Sequence, residues 1–251
     1  MNREQLKNYL KNEENQVFQG WDFSYINGRW DGECIPWDYE KILLSYLKEE
    51  YKLLDMGTGG GEFLLTLNHP FHNTAITESY PPNVAICKEK LQPLGITVKQ
   101  VVDDCKLPFE DSSFDIIINR HESFDVGEIK RILKTGGYFI TQQVGAKNDV
   151  DLSEKVINNF KPLYPNNDLK NNIKAFKNKG FEIIKSEESF TPIRFYDTGA
   201  LVYFAKIIEW EFPNFSVDNC FENLCKIDKE IKEVGYIEGT EHRFLLVAKK
   251  I

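Results

Sequence analysis

The stretch Leu53-Leu-Asp55-Met-Gly57-Thr58-Gly59-Gly-Gly61-Glu62-Phe63 constrains this 251-residue chain more than any other. A short apolar run of the kind that makes a buried strand feeds a turn holding four glycines in five residues. The residues beyond it, 62–68, read as a helix. Glycine accepts positive φ and lets another molecule approach the backbone with no side chain between. A helix start adds unpaired N–H groups and partial positive charge. Strand, glycine turn and helix in this order predict an α/β unit with a ligand on the turn. A tight turn without a ligand is the plainer alternative.

The spacing narrows the ligand. A dinucleotide asks for G-x-G-x-x-G/A, because its pyrophosphate rests on the helix N-terminus. Counted from Gly57, the third glycine position falls on Glu62, whose charge opposes a pyrophosphate; counted from Gly59, it falls on Leu64, which is too large. A nicotinamide oxidoreductase is disfavoured on that ground.

The alternation begun at the turn continues. Segments 52–57, 73–79, 97–102, 114–120, 138–144, 181–189 and 243–250 read as strands. Segments 39–49, 62–68, 82–95, 126–137 and 166–180 read as helices between them. The unbroken Ile116–Ile118 run suits a parallel strand buried on both faces. The pattern predicts a Rossmann-like, doubly wound α/β fold, with a mostly parallel seven-stranded sheet and helices on both faces. About 50 residues separate the last two strands and contain helical stretches near 197–209 and 216–234, a helical insertion before the last strand. Residues 1–38 are aromatic and irregular, and too apolar for a disordered tail. The chain therefore divides into an N-terminal segment, 1–38, and a domain, 39–251, in which 190–238 is the insertion. Both extra segments are candidate lids, expected to meet over the reacting group.

The net charge of −8 repels a phosphate backbone, and the basic residues are scattered singly and in pairs, so nucleic acid is a disfavoured partner. No apolar stretch approaches the roughly 20 residues of a membrane span. The opening MNREQLKNYLKNEENQ lacks the apolar core of a secretory signal. The five cysteines form no C-x-x-C pair or zinc-spaced cluster, so no metal site is expected, and reduced thiols point to the cytoplasm.

The Asp55-x-Gly57-x-Gly59-x-Gly61 spacing resembles the first motif of class I S-adenosylmethionine-dependent methyltransferases. Asp103-Asp104-Cys105-Lys-Leu107-Pro108-Phe109-Glu-Asp111-Ser-Ser-Phe114-Asp115 resembles that family's D-A-x-x-L-P-F-x-D-x-S-F-D stretch. Between them, Glu78 ends the second strand. The likeness covers about residues 50–145 and implies S-adenosylmethionine as cofactor. It places Asp55, Gly57, Thr58, Gly59 and Gly61 toward the methionine part, with Asp55 facing the ammonium. It places Glu78 toward both ribose hydroxyls, with Ser79 beside it. Asp103 takes the place of the aspartate that accepts the adenine amino group, and Asp104 stands where a small residue is usual. Which of the two meets the adenine stays open.

The fourth strand ends Asn119-Arg120-His121-Glu122-Ser123-Phe124, a polar cluster at the carboxyl edge where this fold binds ligands. Asn119 joins the cofactor set. His121 and Glu122 are the candidate catalytic groups, as a base or as acceptor ligands; capping of the next helix is the alternative. Trp21, Tyr25, Arg29, Arg194 and Tyr196 are the acceptor-binding candidates, since aromatic and guanidinium groups suit a small or planar molecule. They equally suit simple cover for the sheet edge. The function expected is methyl transfer to a small molecule. A non-catalytic S-adenosylmethionine-binding module and an RNA methyltransferase are the other readings.

Overall fold

In the computed structural model, which describes residues 1–18 and 22–251, the elements run in chain order as follows. The first half holds α1 (Arg3–Glu14), β1 (Trp30–Gly32), α2 (Tyr39–Tyr46), β2 (Leu53–Met56), α3 (Glu62–Thr66), β3 (Thr74–Glu78), α4 (Pro81–Lys90), β4 (Thr97–Gln100) and β5 (Phe114–Arg120). The second half holds α5 (Val126–Ile132), β6 (Leu133–Val144), α6 (Val150–Val156), α7 (Leu169–Asn178), β7 (Phe181–Phe195), α8 (Thr198–Ile207), α9 (Val217–Val234) and β8 (Ile237–Lys250). The strands lie in the order β1-β7-β8-β6-β5-β2-β3-β4. The β2–β3, β2–β5, β3–β4 and β5–β6 pairs are parallel, while β8 runs antiparallel to β6. The sheet is thus mostly parallel and doubly wound, with eight strands rather than seven.

The chain divides into two compact units. The sheet unit comprises Pro36–Val144, Asn167–Glu188 and Arg243–Ile251. Its core includes Leu54, Met56, Ile117, Phe139, Phe176 and Leu246. The strand order reverses between β2, which leads on to β3 and β4, and β5, which leads on to β6. Ligands of open α/β sheets bind beyond the carboxyl ends at such a reversal. The residues following Met56 and Arg120 stand there.

The second unit comprises Met1–Ile35, Gly145–Asn166 and Ser189–His242. It has a core of its own, in which Leu6 and Leu10 of α1 join Leu152, Leu201, Phe204, Leu224 and Ile231. In it β1 pairs antiparallel with the end of β7, Trp30 opposite Phe195.

Four differences from the sequence reading have physical causes. Residues 3–14 are a helix rather than irregular chain: Asn2 and Gln5 form a reciprocal capping box, and Leu6, Leu10 and Glu13 carry its buried face, with only the two leucines apolar. That face is too narrow to register as periodicity among so many charged residues. The helix expected over 126–137 ends at Ile132, because β6 begins at Leu133 and carries the Gly136–Gly137 pair inside it, where its register with β5 shifts. Helix α6 is a short element that the sequence pattern did not reveal. The last two strands are longer than expected because their outer halves run into the second unit.

Candidate functional site

β2 is buried at every position and delivers Asp55 and Met56 to the glycine turn. The N–H groups of Gly57 and Thr58 both donate to the Thr77 carbonyl, at 3.0 and 3.2 Å, which folds the turn back against β3. Gly57 and Gly59 have φ of 69° and 64°. They differ in what faces them. A Cβ at Gly57 would sit 2.5 Å from the Cβ and Cγ of Glu122, whereas one at Gly59 would meet nothing within 4 Å. The turn is open at Gly59 and covered by Glu122 at Gly57.

Glu78, buried at the end of β3, closes this turn. Its Oε2 accepts from Gly59 N at 2.8 Å, and its Oε1 accepts from Ser79 N and Tyr80 N, both at 2.9 Å. The sequence reading leaves this carboxylate free for two ribose hydroxyls. In the fold three backbone donors already hold it, and the remaining accepting capacity is on Oε2.

Asp55 is buried, and its pKa is pushed up to about 7 by loss of solvation; the Arg120 guanidinium pulls it back, and Glu78 adds to the rise. The Glu122 pKa is raised by burial first and then by Asp104 and Glu78. Asp104 accepts a hydrogen bond from the Ser123 hydroxyl. Asp103 is exposed, and one of its oxygens accepts from Cys105 N at 2.9 Å. The turn therefore lies among Asp55, Glu78, Asp104 and Glu122, carboxylates that suit a cationic ligand and oppose a polyphosphate.

Asn119 is fully buried. Its Oδ1 accepts from the Thr141 hydroxyl at 3.0 Å and from Gln143 Nε2 at 2.6 Å, while its amide nitrogen has no partner among the described residues. A buried amide without a partner is costly and marks a place for a ligand or water. A positively charged sulfonium and ammonium, a ribose and an approachable turn backbone all find matching groups here. The residues present fit S-adenosylmethionine.

His121 follows β5 with φ of 64°, a left-handed conformation uncommon outside glycine. Its N–H donates to the Gln142 carbonyl at 2.9 Å, and its Nε2 lies 3.1 Å from Gln142 Nε2. Although the residue keeps an exposed edge, desolvation, Arg243 and Arg120 lower its pKa.

The described acceptor candidates, Tyr25, Arg29, Arg194 and Tyr196, belong to the second unit. Arg29 is engaged there by Asp197 at 2.8 and 2.7 Å, by Tyr9 at 2.9 Å and by Glu13 at 3.2 Å. Tyr25 packs on Tyr203 with ring centroids 4.8 Å apart. Arg194 bonds Glu238 at 2.6 Å, and the Tyr196 hydroxyl donates to Asp31 at 2.6 Å. These contacts tie the N-terminal segment to the insertion within one unit. Trp21 lies outside the described residues.

Several groups at the β5 edge were not singled out from sequence. Arg120 lies over the Phe63 ring, 4.3 Å from its centroid. The Tyr39 hydroxyl donates to Asn119 O at 2.9 Å, and Trp37 Nε1 donates to Gln142 Oε1 at 2.8 Å. The usable signal is the Gln142-Gln143 pair, two buried amides after the apolar Phe139-Ile140 stretch of β6.

Comparison with known proteins agrees with this geometry. Residues 54–141 match the family described as "Methyltransferase domain". Sterol 4-C-methyltransferase strm-1 of Caenorhabditis elegans is 31% identical over 153 residues, which span 54% of this chain and 45% of that protein. The chain spans less than half the length of the curated relatives it matches. The solved YcgJ protein of Bacillus subtilis superposes with a TM-score of 0.56 at 20% identity, covering 84% of this chain and 97% of that one. A geranyl diphosphate methyltransferase solved with GPP and sinefungin has a TM-score of 0.50 at 13% identity, over 84% and 77% of the two chains. Residues 54–141 thus match a methyltransferase domain, and the groups at the glycine turn fit S-adenosylmethionine.

Proposed function

We propose that the chain transfers the methyl group of S-adenosylmethionine to a small-molecule acceptor. The observation that carries this reading is the glycine turn, open at Gly59, closed by Glu78 and faced by Asp55 and Glu122. When bound, the cofactor supplies an electrophilic methyl carbon on a sulfonium. The chain's own part is alignment, exclusion of water and handling of one proton. Glu78 orients the ribose, and the Gly57–Gly61 backbone orients the methionine part. Asp55 receives the ammonium. Glu122, whose proton affinity is raised by burial and whose side chain lies against Gly57, is the group suited to take a proton from the acceptor.

The second unit, which gathers Tyr25, Arg29, Arg194 and Tyr196, is assigned to acceptor selection; its support is that an aromatic and guanidinium set falls within one compact unit. The acceptors named for relatives are a sterol and an isoprenoid diphosphate. The net charge of −8 weighs against RNA. Among the described residues no helix is long and apolar enough to cross a membrane, and unpaired thiols at all five cysteines support a cytoplasmic location.

Isothermal calorimetry tests the reading directly. S-adenosylhomocysteine is expected to bind saturably and NAD is not. Tight binding of NAD with no response to S-adenosylhomocysteine would overturn it.

A further inference from the structure

We propose that His121 serves the acceptor as a hydrogen-bond donor, locked by Trp37 and Gln142 as the neutral imidazole with its proton on Nδ1, and is not a general base. The role toward an acceptor rests on the methyltransferase reading; the tautomer does not.

The argument starts from groups that have only one option. An indole N–H donates and cannot accept. The side-chain atom of Gln142 that sits 2.8 Å from Trp37 Nε1 is therefore the amide oxygen. The other end of the amide is an NH2 group, a donor only, and it lies 3.1 Å from His121 Nε2. That ring nitrogen must offer its lone pair, so the proton resides on Nδ1. Trp37 and Gln142 are both buried, which keeps water from substituting for either partner. The backbone keeps the two residues in register, because His121 N donates to Gln142 O at 2.9 Å while its φ is held at 64°. Protonating Nε2 would set N–H against NH2 beside two guanidiniums, Arg120 on β5 and Arg243 on β8.

Two consequences follow for the chemistry. The lone pair on Nε2 is spent, and Nδ1 carries a hydrogen, so neither nitrogen can remove a proton from an acceptor. What the ring can do is donate from Nδ1. A donor beside the Arg120 guanidinium favours an acceptor that presents an anionic oxygen, such as a carboxylate. Trp37 and Gln142 are positioning residues in this arrangement, and proton removal falls to Glu122.

Nitrogen NMR of the ¹⁵N-histidine-labelled protein, over the histidine titration range from about pH 5 to about pH 8, reads the tautomer without any acceptor. His121 is expected to show an unprotonated Nε2 and a protonated Nδ1 that do not titrate. Gln142→Glu turns the relay into an acceptor at both ends, and should move the proton to Nε2 and bring a titration into that range. Trp37→Phe frees the amide to rotate and should give both tautomers. A parent spectrum with protonated Nε2, or with an ordinary histidine titration, overturns the proposal. Sodium benzoate, added with S-adenosylhomocysteine present, should shift the Nδ1–H signal saturably and benzylamine should not. An equal response to both refutes the anionic class. Binding of S-adenosylhomocysteine in the same sample separates failure of this proposal from failure of the methyltransferase reading.

Discussion

Replacing Asp55 by Asn should stabilise the ligand-free protein while weakening its hold on the cofactor. The carboxyl is buried on β2, and loss of solvation pushes its pKa from the ordinary 3.8 to about 7. A rise of roughly three units, at 1.36 kcal/mol each, corresponds to on the order of 4 kcal/mol. The folded state keeps a proton that the unfolded chain has lost. Stability from this group is therefore full below pH about 4, declines as pH rises, and is gone above about 7. Urea unfolding of parent and Asp55→Asn at several values from pH 5 to pH 8 isolates the effect, because other groups titrate alike in both. The variant should gain on the parent by about 1.4 kcal/mol per pH unit up to pH about 7 and then hold a constant lead. Its affinity for S-adenosylhomocysteine should fall roughly 10- to 100-fold at pH 8, the loss of a charge-assisted hydrogen bond to the ammonium. Parallel stability curves would refute the reasoning, since they would mean that the carboxylate ionises freely inside the fold.

Glu78→Ala leaves the Gly59, Ser79 and Tyr80 N–H groups without their acceptor, so S-adenosylhomocysteine binding by calorimetry should weaken at least 10-fold, with a stability loss of about 1–3 kcal/mol. Gly57→Ala places a methyl where Glu122 lies, at positive φ; it should abolish cofactor binding, and adding Glu122→Ala should relieve the clash but not the backbone strain, restoring binding only in part. Tyr196→Phe and Arg194→Ala break contacts confined to the second unit, so S-adenosylhomocysteine affinity should stay within about 2-fold while turnover of the acceptor falls.

The sheet was legible because its signals are local. Uninterrupted apolar residues such as Ile116–Ile118 announce a strand buried on both faces, and glycines that need positive φ announce the turn between strand and helix. Asp55, Gly57, Gly59 and Glu78 belong to that local grammar, and the fold brings them together. The rest depends on partners far apart in sequence. Nothing near Glu78 in the chain says that Gly59 N–H will reach it. Nothing near Glu122 says that its side chain will cover Gly57. Trp37, Gln142 and His121 come from three separated segments, and the protonation of His121 is a property of the trio.

The second unit carries the same distinction further. Its core draws on α1, on α6 and on the helices between β7 and β8, three stretches with the sheet unit's segments between them. A reading along the chain meets them as an irregular leader, a loop and an insertion, each too short to bury a core alone. Arg29 shows why they have to be counted together. Its guanidinium takes Asp197 bidentately while also meeting Tyr9 and Glu13, so one side chain satisfies polar groups from α1 and from the N-cap of α8. Removing one partner of such a cluster leaves the others half-buried and unpaired, which costs more than an exposed ion pair would. An arginine spent in this way holds the unit together, whereas Tyr25 and Tyr196 stay at its exposed rim.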